Sequence, residues 1–190
     1  MLKINIDNRL NNYDVIVCPG IHNSSLTDSF IQNLQGNSDR FGEHKWSILP
    51  TQNYAPYSPV AVYQWLDKHY HSPRNTPPII LICFSAGVVG GIGAALWWQK
   101  NGGKVKAFFA FDGWGMPIVR NFPVYRLSHD YFTHWSSAIL GQGDSSFYAD
   151  PEVAHLDLWR SPNTTVGWWV KSPGMKIRCS VAEFLQVFFA

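Results

Sequence analysis

The residue types first suggest chemistry at Cys83-Phe84-Ser85-Ala86-Gly87. The serine lies between an apolar run, Ile79-Ile80-Leu81-Ile82, and a segment rich in glycine and alanine. That is the composition of a strand-to-helix junction, where a hydroxyl serves either as a helix cap or as a nucleophile. A nucleophilic serine needs a base within hydrogen-bond reach and a carboxylate that holds the base in the right tautomer. His22, His44, His69, His71, His129, His134 and His155 compete for the first role, and Asp112, Asp130, Asp144 and Asp150 for the second. His129, Asp130 and His134 could instead ligate a metal, but their spacing matches no common metalloenzyme motif, and a solvated helix face explains Asp130 and His134 at i,i+4 equally well. Cys18, Cys83 and Cys179 form no CxxC pair, so neither a disulfide framework nor structural zinc is supported, and reduced thiols are expected. No metal and no cofactor enters this reading.

These groups need a frame, and the chain supplies short apolar runs alternating with helical segments. Val15-Ile16-Val17 reads as a strand, and Ser24-Ser25-Leu26-Thr27-Asp28 offers hydroxyl caps and an acid for a first helical turn. Trp46-Ser47-Ile48-Leu49 is the next strand. Ser58-Pro59 then opens a helix through His69, with Val62, Leu66 and His69 at helical spacing. Pro77-Pro78 precedes the Ile79 strand, and Asn101-Gly102-Gly103 stops the helix after it. The nearly uncharged run from Val105 to Phe111 suits a strand buried on both faces. Val124-Tyr125-Arg126-Leu127 and Ser146-Phe147-Tyr148 are weaker strands, and the alternating Met1–Asp7 reads as an edge strand. Ser180-Val181-Ala182-Glu183 is a capping box that opens a closing helix through Phe188. The βαβαβαβ pattern requires right-handed crossovers and predicts one domain over 1–190, a three-layer αβα sandwich with a mostly parallel central sheet. Such sheets place ligands beyond the carboxyl ends of their strands.

Composition removes several function classes. Fifteen Lys+Arg against thirteen Asp+Glu, with no basic block, give nothing to attract phosphate backbones, so nucleic acid is not expected as a partner. Ile79 to Trp98 is uncharged and of membrane-spanning length, but its character changes midway from β-branched residues to glycine and alanine. That change reads as strand, turn and helix, and no stable membrane insertion is expected. The N-terminus lacks the continuous apolar stretch of a signal peptide, which together with reduced thiols predicts a cytoplasmic protein.

The strand, turn and helix around Ser85 resemble the nucleophile elbow of the α/β-hydrolase family, whose G-x-S-x-G pattern keeps the residues two before and two after the serine small. Gly87 and Ala86 fit that pattern, and Cys83 replaces the first glycine. In the family a His-Gly or Pro-Gly pair follows an earlier central strand. Val15-Ile16-Val17-Cys18-Pro19-Gly20-Ile21-His22 has that form, so the resemblance implies the backbone N–H groups of Ile21 and Ala86 as oxyanion donors. The family's chain order of nucleophile, acid and histidine leaves His129, His134 and His155 as bases, and His155 occupies the usual place after the final expected strand. Asp130, in Leu127-Ser128-His129-Asp130, resembles the family's post-strand aspartate. Asp112, in Phe111-Asp112-Gly113-Trp114, is the alternative acid. The resemblance covers residues 15 to 156.

Nine tryptophans exceed what core packing usually requires. Trp114 and Trp135, with His22, are expected to line an aromatic acyl or alcohol pocket, whereas Trp97 and Trp98 fit a helix core. Only about ten residues separate Gly113 from the next strand, too few for a helical cap domain. The stretch from Trp159 to Arg178 departs from the family's short link and is expected to cover the site or to meet a partner. The reading is a serine hydrolase acting on esters or thioesters through an acyl-enzyme on Ser85, with a small apolar or acyl molecule as substrate. The alternative is a catalytically inactive binding or scaffold protein on the same fold. The oligomeric state stays open.

Overall fold

A computed structural model describes residues 12–42, 44–113, 121–141, 143–172 and 174–189. The edge strand expected at Met1–Asp7 and the pocket residue Trp114 lie outside the described residues. The architecture is α/β. Strands β1 (Asp14–Cys18), β2 (Lys45–Ile48), β3 (Ile79–Phe84), β4 (Val105–Phe111), β5 (Val124–Ser128) and β6 (Ser145–Ala149) pair in parallel. Between them run helices α1 (Ser24–Asn37), α2 (Asp39–Gly42), α3 (Pro59–Tyr70), α4 (Ala86–Lys100) and α5 (Tyr131–Ala138), and α6 (His155–Arg160) follows β6. Strands β7 (Val166–Ser172) and β8 (Met175–Ser180) then add antiparallel, and α7 (Val181–Gln186) follows. Among the described residues the sheet has eight strands, in the order β2-β1-β3-β4-β5-β6-β7-β8.

The local signals explain most of these boundaries. The Ser58 hydroxyl accepts from the Ala61 N–H with Pro59 in the first turn of α3, and Ser180 and Glu183 form the capping box of α7. Gly102, at φ 92°, takes the left-handed conformation just after α4, where glycine carries no Cβ penalty. The cap of α1 is Asn23 rather than the serines that follow it; its side chain accepts from the Ser25 N–H. The uncharged run from Ile79 to Trp98 divides into β3, the turn at Ser85 and most of α4. No helix among the described residues is long and apolar enough to cross a membrane.

Alternation along the buried strands feeds two cores, one on each face of the sheet. Val15, Val17, Ile80, Ile82, Phe109 and Phe111 point to the face covered by Phe30 and Leu34 of α1, Trp159 of α6 and Phe184 of α7. Ile16, Cys18, Leu81, Cys83, Phe108 and Ala110 point to the face covered by Val62 and Leu66 of α3 and Val88, Ile92 and Trp98 of α4. Each buried Val, Leu, Ile or Phe among them contributes about 1.5–3 kcal/mol through burial. Trp98 fills the core as expected, but its neighbour Trp97 is 41% exposed.

One expectation is corrected. The stretch from Trp159 to Arg178 does not cover the site: its main part is the β7–β8 hairpin, which extends the sheet beyond β6. Its outer strand alternates Met175, Lys176, Ile177 and Arg178, a period-two signal that marks it as a strand. His155 follows β6 and opens α6.

Candidate active site

Ser85 stands between β3 and α4 with φ 51° and ψ −116°, a backbone conformation that residues other than glycine adopt only when their surroundings enforce it. It occupies the cap position of α4, yet its side chain makes no capping hydrogen bond, so the hydroxyl is not spent on the helix. Close packing enforces the turn. A Cβ on Gly87 would lie 2.1 Å from the Cys18 carbonyl oxygen, so only glycine lets α4 approach the end of β1. A Cβ on Gly91 would lie 2.5 Å from the Cys83 sulfur. Cys83 is therefore accommodated by a glycine in the second turn of α4. Burial, and then the neighbouring Cys18 thiol, raise the Cys83 thiol well above its ordinary pKa, which leaves it protonated.

The loop after β1 runs beside this turn. A Cβ on Gly20 would meet the Ser85 Cβ at 3.2 Å, which sets Pro19-Gly20-Ile21 against the serine. Ala86 is the first residue of α4, where backbone N–H groups have no partner within the helix. Ile21 thus follows Gly20 in the loop that meets Ser85, and Ala86 opens the helix that Ser85 precedes. A cleft of about 400 Å³, within the range of small-molecule sites, extends from Gly20, Ile21 and His22 along the loop from Thr51 to Tyr57. His22 packs edge-on against Phe84, with its Nδ1 hydrogen-bonded to the Asn23 carbonyl oxygen at 2.9 Å. The remaining ring nitrogen, Nε2, is buried with no hydrogen-bond partner among the described residues. Of the expected pocket residues, His22 lines this cleft. Trp135 lies instead on the exposed face of α5.

Asp112 is the hub of the other half. It follows β4 with φ 48°, and its side chain is 2% exposed. The N–H of Ser85 donates to the Phe111 carbonyl (2.8 Å) and that of Asp112 to the Leu127 carbonyl (2.8 Å), which aligns the ends of β3, β4 and β5. The His129 N–H donates to Asp112 Oδ1 at 2.9 Å, while Oδ2 receives both His155 Nδ1 at 2.8 Å and His129 Nδ1 at 3.0 Å. Burial opposes ionisation of Asp112, but the bonds from His129 and His155 outweigh it and hold the carboxyl below its usual range. The same bond raises the His129 pKa against burial, with Asp130 and Glu152 adding to the effect. His155 stacks on Phe84, the residue before Ser85, at 4.8 Å between ring centroids. It is thereby set beside the Ser85 turn.

The carboxylate on His155 is thus Asp112, the residue ranked second by the sequence, and not Asp130. Asp130 caps α5 by accepting from the Thr133 N–H and lies 3.3 Å from the far nitrogen of His129. His134 takes no part: it faces Tyr148 and Tyr131, and burial, then Lys176 and Arg126, lower its pKa. Among the described residues, the set whose ligand atoms converge as a metal would require is Asp112, His129 and His155 rather than His129, Asp130 and His134. Sequence reasoning missed the second imidazole on Asp112, which no local signal marks because the pairing of β4 with β5 is what brings His129 to it. The chain matches no family model and no curated protein.

Proposed function

We propose that the chain is a serine hydrolase of the α/β-hydrolase type that cleaves esters or thioesters through an acyl-enzyme on Ser85. The observation that carries this reading is the strained turn at Ser85 with His155 stacked on the preceding residue and its Nδ1 on Asp112. In this mechanism Asp112 keeps the proton on His155 Nδ1, so that Nε2 is free to take the serine proton as Oγ attacks the acyl carbon. The oxyanion forms beside the N–H groups of Ile21 and Ala86, and the leaving alcohol or thiol takes its proton from His155. Water then attacks the acyl-enzyme by the same route. The 400 Å³ cleft beside Ile21 receives the apolar part of the substrate.

The test is labelling by a serine-directed fluorophosphonate, since only a hydroxyl activated by a neighbouring base attacks phosphorus quickly. Peptide mass analysis should find the label on Ser85, and Ser85→Ala should remove both labelling and hydrolysis of small activated esters. A wild-type protein that neither labels nor cleaves any ester or thioester across acyl lengths overturns the proposal and leaves the binding-protein reading.

A further inference from the structure

A carboxylate that only orients a catalytic histidine needs one imidazole. Asp112 has two. Oδ2 faces Nδ1 of His155 at 2.8 Å and Nδ1 of His129 at 3.0 Å, and the three residues each offer a ligand atom within 4.8 Å of the others'. Oδ1 is held by the His129 backbone, so the carboxylate cannot turn away. Two imidazoles and one carboxylate are a ligand set suited to zinc and neighbouring divalent transition metals. Metal–ligand bonds of about 2.0–2.1 Å put tetrahedral ligand atoms about 3.3 Å apart, so Oδ2 and each Nδ1 need to separate only slightly. His155, with 43% of its side chain exposed, has room to adjust and leaves a path for the ion to enter.

The surroundings of His129 point the same way. Its far nitrogen, Nε2, lies 3.3 Å from Asp130 Oδ2. A carboxylate behind the non-ligating nitrogen is the arrangement that orients metal-bound histidines and fixes the proton on the far side of the ring. We propose that Asp112, His129 and His155 form a zinc-class metal site that, when filled, silences Ser85. Coordination takes the lone pair of Nδ1 on each ring, and the proton of a neutral imidazole moves to Nε2. On His129 that proton meets Asp130. On His155 it occupies the nitrogen that would otherwise accept the serine proton, so the metal and the acyl-transfer reaction compete for one imidazole. The binding half of the proposal stands on geometry alone; the silencing half rests on the serine-hydrolase reading.

Calorimetric titration of the purified wild-type chain with Zn²⁺ alone should give one site. Replacement of a ligand, His129→Ala, should weaken it more than tenfold, and loss of the supporting carboxylate, Asp130→Asn, about tenfold. His134→Gln, outside the site, should leave it unchanged. Should His129→Ala fail to fold, imidazole ¹⁵N shifts of the wild-type chain decide the matter: Zn²⁺ must perturb Nδ1 of both His129 and His155. Equal affinity in the folded His129 variant, or a response confined to other histidines, overturns the site. For silencing, Zn²⁺ should reduce fluorophosphonate labelling of Ser85 in step with occupancy. Undiminished labelling at full occupancy, or a zinc-dependent esterase activity that survives Ser85→Ala, overturns that half. A chain that never labels, with or without metal, refutes the hydrolase reading while the titration still decides the metal site.

Discussion

The half of the candidate site built on β1, β3 and α4 is held by close packing at glycines, whereas the half built on β4, β5 and α6 is held by hydrogen bonds around one carboxylate. In the first, Gly87 lies against the Cys18 carbonyl and Gly91 against the Cys83 sulfur, and the turn at Ser85 follows from how closely helix and sheet approach. In the second, Asp112 gathers His129 and His155 from distant parts of the chain through hydrogen bonds between ionisable groups. Close packing is insensitive to solution conditions and intolerant of added volume. A hydrogen-bonded cluster tolerates changes of shape but depends on protonation state and on the identity of each donor. The two halves should therefore fail under different substitutions.

The largest effect expected from this contrast is on catalysis. Asp112→Asn should leave His155 in the wrong tautomer and lower kcat by about 10⁴-fold with KM little changed. The same change at Asp130, whose carboxylate serves a helix cap and His129, should alter kcat by less than about tenfold. Steady-state kinetics on folded variants, checked by thermal unfolding, measures both. Equal losses at the two positions would erase the distinction between orienting carboxylate and cap.

Next in size is the cost of volume in the close-packed half. Gly87→Ala drives a Cβ onto two main-chain carbonyl oxygens, from Cys18 at 2.1 Å and Pro19 at 2.6 Å, and neither can rotate away as a side-chain tip would. A loss of at least about 3 kcal/mol in urea unfolding is expected. Asp130→Ala ranks third, because removal of a side chain that caps α5 costs about 1 kcal/mol. A loss at Gly87 no greater than that of the cap would show that α4 can slide on the sheet.

The unequal legibility of the two halves has the same origin. Ser85 and the glycines of α4 lie in one short stretch, where residue order alone sets strand, turn and helix, and the Pro19-Gly20 pair stands directly after an apolar run that pairs with β3. The choice between Asp112 and Asp130 was not local. Both lie just beyond adjacent strands, β4 and β5, and only the register Phe111↔Leu127 and the direction of each side chain decide which meets His155. The hairpin Val166–Ser180 was hidden for a related reason. Its strands pair antiparallel at the far edge of a parallel sheet, outside the alternation of strand and helix that made the preceding elements readable.

The smallest expected effect separates the two histidines at the ends of one short segment. His129 faces carboxylates and has a raised pKa, whereas His134 is set against Tyr148 and Tyr131, and burial, then the cations Lys176 and Arg126, lower its pKa. For His134 the unfolded chain binds the proton more readily than the folded one. Its neutral form therefore favours the fold above the ordinary histidine pKa of about 6.5, and that contribution is lost as the pH falls through the lowered value. His134→Gln, which cannot take up a proton, should flatten this part of the stability profile. Between pH 7.5 and pH 5 the wild-type melting temperature should fall further than that of the variant, by about 2 °C, since small free-energy changes shift a chain of this size only slightly. Parallel profiles for the two proteins would mean that solvent relieves His134 of the cost of burial.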